Sequence, residues 1–198
     1  MESAIETIIF DVGGVLIQDA GRKSFLKNYS VCPKIENDFW SLYKVGKISE
    51  LEYWKQTLKQ TPFSGKEEEV AMEVRKHFAT LKAADIISLI PKLYENKYNL
   101  AILSNHVTEW VWPFLVHNNL NHFFDPILIS SEIKLAKPQP EIFDYLLDTI
   151  GYSNKPKSCL FIDDKKENIQ VAQWLGMQGL QFKGKDNLEE ELKKINII

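Results

Sequence analysis

Polar side chains that can carry ionic or nucleophilic chemistry follow the short apolar runs of this sequence. In chain order they are Asp11, Ser104, Asn105, Lys137, Asp163 and Asp164. In open α/β sheets, ligands bind outside the carboxyl ends of the strands. If the apolar runs are parallel strands, these side chains therefore meet at one edge of a sheet.

Three carboxylates and one lysine at one sheet edge repel one another, because neighbouring like charges raise each other's pKa. A bound divalent cation removes this conflict. Magnesium prefers a few carboxylates together with water and phosphate oxygens, which matches this set of residues. The His and Cys ligands that a zinc site needs are missing from it. The set therefore predicts a Mg²⁺ site.

A phosphate group beside such a metal would give each remaining residue a role. Asp11 would attack phosphorus in line and form an aspartyl-phosphate. Ser104 and the Asn105 amide would bind the equatorial oxygens, and Lys137 would offset charge on the transferred group. We therefore expect phosphoryl transfer, with Asp11 and Lys137 as catalytic residues.

Taken singly, each of these residues also has an ordinary structural explanation. Asp11 and Ser104-Asn105 are common in turns and helix caps, and Asp163-Asp164 suits a helix N-terminus. Lys137 alone would be read as a solvated surface charge. The functional interpretation depends on their joint occurrence, in order, at the ends of successive buried strands.

Short apolar runs typical of strands buried on both faces occur five times. They are Thr7 to Val12, Leu100 to Leu103, Ile127 to Ile129, Cys159 to Ile162 and Gly179 to Phe182. Helical periodicity separates the later ones, over Ala84 to Glu95, Glu141 to Ile150 and Glu167 to Leu175. This alternation predicts an α/β protein with a Rossmann-like, doubly wound parallel sheet.

The stretch from Asp19 to Thr80 breaks the alternation, because it contains helical patterns and no convincing strand. We predict a core of residues 1–18 and 81–198 with an inserted helical cap, residues 19–80. A capping box, Ser49-Glu50-Leu51-Glu52, predicts a helix start within the cap. In the core, Pro113 is expected to end or kink any helix near Trp112.

The composition favours a small-molecule partner. The net charge is -3, and no Lys/Arg stretch suits nucleic acid or an anionic membrane. No run of about 18 apolar residues and no signal peptide is present, so we expect a cytoplasmic protein. Cys32 and Cys159 are expected to be buried, reduced thiols. The oligomeric state is not predicted, and a monomer is compatible with the sequence.

The complete set of motifs resembles the haloacid dehalogenase-like hydrolase superfamily. Its four motifs read here Phe10 to Leu16, Ile102 to Asn105, Lys137 to Phe143 and Phe161 to Asn168. The helical insertion looks like that superfamily's small cap. The likeness is greatest to the branch of α-glucose-1-phosphate phosphatases and the phosphatase domain of soluble epoxide hydrolases. The resemblance implies a phosphatase that acts on a small phosphorylated metabolite.

Carried over to this sequence, the resemblance implies that Asp11, the Gly13 carbonyl and Asp164 bind Mg²⁺. Asp163 would not contact the metal directly but would orient a metal-bound water or Lys137.

Gly13 departs from the pattern, since most phosphatases of the superfamily have a second Asp at this position. That Asp protonates the leaving group, and such acids contribute about 10²- to 10⁴-fold in rate. The α-glucose-1-phosphatase-like branch also tends to have Gly here. We therefore expect substrates with good leaving groups, such as sugar 1-phosphates. Asp19 or His106 is a possible replacement acid, although a capping Asp and a surface His are the more ordinary interpretations.

Three alternatives remain open. A metal-independent 2-haloacid dehalogenase would use the same nucleophile, but it needs no acidic pair. A receiver module would have its acidic pair on the first strand and no inserted cap. A superfamily member with weak or no turnover that acts as a binding or regulatory protein is compatible with Gly13.

Overall fold

A five-stranded parallel sheet forms the centre of the protein. The computed structural model describes residues 4–17 and 21–198. The strands are β1 (Thr7–Phe10), β2 (Asn99–Ser104), β3 (Ile127–Ile129), β4 (Cys159–Asp163) and β5 (Gln178–Gln181). Their order is β3-β2-β1-β4-β5, and every pairing is parallel. The predicted doubly wound α/β sheet is therefore confirmed.

Both faces of the sheet are buried, which explains the continuous apolar runs. Ile8 and Phe10 belong to the hydrophobic core on one face, and Ile9 belongs to the core on the other face. The alternation follows from the two-residue period of a strand. The β1 strand therefore has no solvated side, and the charged residue Asp11 directly follows its end.

Helices flank this sheet. Five lie between β1 and β2, and the first four of them are α1 (Gly21–Leu26), α2 (Pro33–Tyr43), α3 (Glu50–Leu58) and α4 (Glu67–Ala79). The others are α5 (Ile90–Glu95), α6 (Thr108–His117), α7 (Ser130–Ile133), α8 (Pro140–Thr149), α9 (Lys166–Trp174) and α10 (Lys185–Lys194). Helices α1 to α4 lie within residues 19–80, the stretch predicted to form the cap. None of the described helices combines the length and apolar character needed to cross a membrane.

Aromatic packing joins the cap to the core. Trp110 of α6 is fully buried, and its ring lies 5.6 Å from Trp40, 5.9 Å from Trp54 and 5.2 Å from Phe78. These three partners come from α2, α3 and α4 of the cap. A single hydrophobic cluster therefore runs from one face of the sheet through α6 into the cap.

Two helix predictions need correction. The stretch from Ala84 to Glu95 is not one α-helix, because a 3₁₀ segment, Asp85–Leu89, precedes α5. Pro91 lacks the N–H that a continuous helix would direct to the carbonyl of Ile87. The α6 helix does not end near Trp112 but continues to His117. Pro113 removes one hydrogen bond, whereas Phe114 and Leu115, which follow it, are buried against the core.

The cysteine prediction is half right. Cys159 of β4 is buried, but Cys32 is exposed, because it stands at the surface directly before α2. The backbone N–H groups of Ile35 and Lys34 at the start of this helix lower the pKa of the Cys32 thiol. The serine half of the capping box predicted at the start of α3 is present, because Ser49 Oγ accepts a hydrogen bond of 3.2 Å from the Glu52 N–H.

Candidate active site

Adjacent strands deliver the polar residues to one edge of the sheet. The register pairs Phe10 of β1 with Ile162 of β4, so the next residues, Asp11 and Asp163, end neighbouring strands at the same level. Ser104 ends β2 on the other side of β1. The sheet order places β1 between these two strands. The predicted convergence at the carboxyl edge is therefore what the structure shows.

Lys137 is the cation of this cluster. Its side chain has no exposed surface, and Nζ donates to the Leu103 carbonyl and to Asp163 Oδ2, both at 2.7 Å. Asp11 Oδ1 lies 3.1 Å from the same nitrogen. The solvated surface lysine that statistics would favour is thus excluded. A buried ammonium held by three oxygens keeps one fixed position between two carboxylates.

Asn105 fixes the backbone of Lys137. Its side-chain Nδ2 donates to the Lys137 carbonyl at 2.7 Å, and its Oδ1 accepts from the Lys137 N–H at 2.9 Å. These two bonds join the end of β2 to the segment between α7 and α8. The side chain of Asn105 therefore positions the lysine.

Asp163 is fully buried and fully engaged. Oδ1 accepts the Lys165 N–H at 2.8 Å, and Oδ2 accepts Asn168 Nδ2 at 2.9 Å in addition to Lys137. Burial alone would raise the pKa of Asp163, but the attraction of Lys137 and these hydrogen bonds outweigh burial and lower it. Asp163 is therefore an ionised anchor for Lys137.

Asp11 is also buried, but its pKa shifts in the opposite direction. Burial raises its pKa, and the nearby charge of Asp163 acts in the same direction, while Lys137 and a hydrogen bond from Ser104 oppose them. Oδ1 also accepts the Val12 N–H at 2.7 Å. A carboxylate held with so little water is costly unless further positive charge is supplied.

Asp164 supplies the observation that points to a cation. Its Oδ1 is buried and has no hydrogen-bond partner among the described residues. One carboxylate oxygen each from Asp11, Asp163 and Asp164 lie within 4.8 Å of one another. Burial, Asp11 and Asp163 together raise the pKa of Asp164. An unpaired oxygen in an excess of negative charge fits a divalent cation with oxygen ligands.

A tight turn after β1 brings the backbone close to this carboxyl group. Gly14 has φ +81°, and a Cβ atom there would lie 2.8 Å from the Asp164 carboxyl carbon. Glycine is therefore required at this position. Gly13 is different, because no described atom lies within 4 Å of a Cβ atom built on it.

The two possible replacement acids are Asp19 and His106. Asp19 lies outside the described residues. His106 is buried, which contradicts its interpretation as a surface residue, and its ring packs against Trp40, Phe78 and Trp110. Burial lowers the pKa of His106 to about 4. The imidazole is therefore neutral at pH 7.

Asn168 has a role that the sequence did not reveal. It is buried in the first turn of α9 and donates to Asp163. The available signal was an amide five residues after a strand-end aspartate, near the start of the following helix. Such a residue is ordinarily taken for a turn or capping residue.

These observations define a class of protein. It is a Rossmann-like α/β protein with a helical insertion and an acidic, lysine-containing site at the carboxyl ends of its central strands. The profile of the family described as "Haloacid dehalogenase-like hydrolase" matches residues 8–181. The chain belongs to this family.

Several curated relatives are named as phosphatases, and two of them differ in how much of this chain they match. A D-ribitol-5-phosphate phosphatase from Bacteroides thetaiotaomicron is 26% identical over 210 residues, which cover 96% of this chain and 98% of the relative. A glyceraldehyde 3-phosphate phosphatase from Methanopyrus kandleri is 30% identical over 102 residues. That match covers 50% of this chain and 43% of the relative. This chain therefore spans less than half of the relative's length.

Several similar solved structures contain ligands, and one of them matches most of this chain. It is the HAD family enzyme BT-2542 from Bacteroides thetaiotaomicron, in complex with magnesium and inorganic phosphate. The TM-score is 0.70 at 26% identity, and the match covers 91% of this chain and 96% of the other.

Proposed function

We propose that this protein is a Mg²⁺-dependent phosphatase that hydrolyses a small phosphate monoester through an aspartyl-phosphate on Asp11. The observation that carries the proposal is the unpaired Asp164 oxygen beside Asp11 and Asp163, with Lys137 as their cation. The phosphatase names of two relatives and the magnesium and phosphate of a similar structure support it.

Asp11, the Gly13 carbonyl and Asp164 would hold the metal. When bound, Mg²⁺ supplies positive charge that relieves the repulsion of the carboxylates and attracts the phosphoryl oxygens. Asp163 is already occupied by Lys137, the Lys165 N–H and Asn168, so it acts through the lysine. Of the two adjacent aspartates, Asp164 is thus the metal ligand and Asp163 positions Lys137.

The other residues act on the phosphoryl group. Asp11 attacks phosphorus, the ester oxygen leaves, and water then hydrolyses the aspartyl-phosphate. Lys137 offsets charge on the transferred group, and Ser104 binds one equatorial oxygen. The Asn105 side chain already makes two hydrogen bonds to the Lys137 backbone, so the backbone N–H of Asn105 is the group that would contact phosphate. The predicted cap, which contains α1 to α4, would cover the site and exclude water during the reaction.

Protonation of the leaving group limits the choice of substrate. Gly13 offers no acid, and His106, whose pKa is about 4, is unprotonated at neutral pH and has no acidic proton to donate. The geometry therefore favours esters whose leaving groups need little protonation, such as sugar 1-phosphates, acyl phosphates and aryl phosphates.

Phosphate release from an aryl phosphate tests the proposal. Turnover should require Mg²⁺ and fall by at least about 10³-fold in Asp11→Asn, because the nucleophile is lost. Asp144→Asn, an exposed aspartate of α8, is the matched control and should retain full activity. Equal activity of Asp11→Asn and wild type, or turnover unaffected by EDTA, would refute the proposal.

Substitution of Gly13 tests the leaving-group argument. The open space at its Cβ should accommodate Gly13→Asp, with gains of up to about 10²-fold on alkyl phosphates and much less on aryl phosphates. Gly13→Asn adds the same volume without an acid and serves as the control. If wild type cleaves alkyl and sugar 1-phosphates equally fast, the argument is wrong.

A binding protein with little or no turnover is the second candidate, and Gly13 is the observation that favours it. Such a protein would bind phosphate with Mg²⁺ in calorimetry but release none from any ester. The dehalogenase alternative predicts metal-independent halide release from a 2-haloacid. The unpaired Asp164 carboxylate, which that reaction does not need, argues against it.

A further inference from the structure

A lysine of the cap, Lys44, directly follows α2 and lies at the carboxyl edge of the sheet. Its backbone carbonyl accepts a hydrogen bond from the hydroxyl of Ser130, the first residue after β3, and the same hydroxyl accepts the His106 N–H at 3.0 Å. A Cβ atom at Gly46 would clash with the carbonyl oxygen of Ser131. These contacts fix the end of α2 against the segments that follow β2 and β3, next to the proposed phosphate-binding residues.

The charge of Lys44 is not balanced by any carboxylate among the described residues. Its side chain is half-buried. Burial lowers the pKa of its ammonium group, and the nearby positive charges of Lys165 and Arg22 lower it further. A half-buried ammonium group among like charges is costly, so an anion that reaches it is bound favourably.

Lys165 connects this lysine to the proposed metal site. It is exposed and directly follows Asp164, and its backbone N–H donates to Asp163 Oδ1 at 2.8 Å. The charge of Lys165 opposes the rise in the pKa of Asp164, and it also acts on Lys44. Lys165 therefore lies near both the proposed metal ligand and the lysine of the cap.

Arg22 of α1 is a structural cation of the cap. Its guanidinium group pairs with Glu36 and lies 4.4 Å from the ring centre of Trp40. The Trp40 ring in turn packs against His106, with 5.5 Å between the ring centres. Because Glu36 balances Arg22, an anion at this boundary would meet the two lysines, which have no ion-pair partners among the described residues.

We infer that Lys44, together with Lys165, binds a second anionic group of the substrate, on the leaving-group side of the phosphate ester. The inference rests on the proposed phosphate site at Asp11, where Lys137 and a bound Mg²⁺ offset the carboxylates. It narrows the substrate to phosphate esters that carry a carboxylate or a second phosphate. If the two lysines acted only on the transferred phosphoryl group, every phosphate ester would benefit equally.

Benzylphosphonates test the binding step alone, because their C–P bond is not hydrolysed by a phosphatase. The para-carboxy compound carries a second anion, the para-carbamoyl compound is its neutral counterpart, and para-xylylene bisphosphonate carries a second phosphonate. Calorimetric titrations would be made with Mg²⁺ at constant ionic strength. At least one of the two doubly anionic compounds should bind about five- to thirtyfold more tightly than the carbamoyl compound, as for one partly screened charge-assisted hydrogen bond. The tighter of the two identifies the second group.

Variants assign the preference to Lys44. Lys44→Gln keeps the backbone bond to Ser130 but should largely abolish the preference, whereas Lys44→Arg should retain most of it. Lys59→Gln, which removes an exposed lysine at the end of α3, is the matched control and should leave the preference unchanged. Equal affinities of the wild type for the anionic and neutral compounds, or an unchanged preference in Lys44→Gln, would overturn the inference.

Turnover separates this inference from the proposed function. The corresponding esters, para-carboxyphenyl and para-carbamoylphenyl phosphate, should differ in kcat/KM, and Lys44→Gln should reduce the difference mainly through a higher KM for the acid. Turnover of both esters without any binding preference would uphold the phosphatase and overturn the second anion site. A binding preference without turnover of either ester would refute the phosphatase and uphold the anion site.

Discussion

Two groups of buried carboxylates differ in the balance of their charges. In the described part of the cap and at its boundary with the core, the two buried carboxylates, Glu36 and Glu50, each have a cation and a neutral donor. Glu36 pairs with Arg22 and accepts the Tyr53 hydroxyl at 2.7 Å. Glu50 has the same arrangement. Arg75 is its cation, and its Oε1 accepts a hydrogen bond of 2.7 Å from the indole N–H of Trp110.

The carboxyl edge of the sheet has three carboxylates and one lysine instead. Lys137 serves Asp11 and Asp163, and Asp164 retains an oxygen without a partner among the described residues. A balanced buried pair stabilises one arrangement of helices, whereas an unbalanced group is stable only when something else supplies charge. The contrast thus distinguishes architecture from a binding site, and stability measurements can test it.

Lys137→Met should have the largest effect. Asp11 and Asp163 would face each other without their cation, so the free energy of unfolding should fall by about 3–5 kcal/mol, and phosphatase turnover should be lost. Urea unfolding at pH 7 measures the change. Lys92→Met, at an exposed lysine of α5, is the control. A loss no greater than that of the control would contradict the assignment of Lys137 as the balancing charge.

The pH dependence contributed by His106 comes next. Its pKa is about 4 when folded and 6.5 when unfolded, so the unfolded chain binds the extra proton between these values. The folded state should therefore lose up to about 3 kcal/mol as the pH falls from 6.5 to 4. His106→Gln should flatten this slope, and His117→Gln, at an exposed histidine, should not. An unchanged slope in His106→Gln would show that the ring is protonated when folded.

Glu36→Gln should break a balanced pair. The weakened bonds to Arg22 and Tyr53 should lower the free energy of unfolding by about 1–3 kcal/mol, with turnover per folded molecule preserved. Urea unfolding and a rate assay on the same sample measure both quantities, and Glu95→Gln is the exposed control. A loss of activity without a loss of stability would place Glu36 in the active site.

Asp164→Asn should have the smallest effect on stability, with the opposite sign. Burial, Asp11 and Asp163 raise the pKa of Asp164, so its ionised form opposes folding at pH 7. Without metal, the variant should be more stable by less than about 1 kcal/mol, since solvent screens this half-buried group. The gain should fade below the raised pKa, where the wild-type carboxyl is protonated. Unfolding in EDTA at pH 7.5 and 4 tests this, and Mg²⁺ affinity should fall. Destabilisation in EDTA would mean that Asp164 already has a partner.

The sheet and the position of its carboxyl edge were predictable, because strands buried on both faces consist of uninterrupted apolar runs in the sequence. The approach of Asp11 to Asp163 follows from that topology alone. The burial of Lys137 does not, since it depends on the two bonds from Asn105, a residue 32 positions away. The role of Asn168 was hidden for a different reason, because an amide near the start of a helix is ordinarily taken for a capping residue.

Helix details were less predictable where packing outweighs local preference. The α6 helix continues through Pro113 because Phe114 and Leu115 are buried against the core. His106 looked like a surface residue because its burial comes from cap residues, Trp40 and Phe78, that are distant in sequence. Neither propensity nor periodicity contains such contacts.

The aromatic packing around Trp110 also bears on how this chain can evolve. A cap that shares one hydrophobic cluster with the sheet is expected to unfold together with it, in a single cooperative transition. Nor is it an interchangeable module, because a different cap would leave the Trp110 face of α6 in water. New specificities are therefore more accessible through point substitutions in the existing cap than through exchange of the whole insertion.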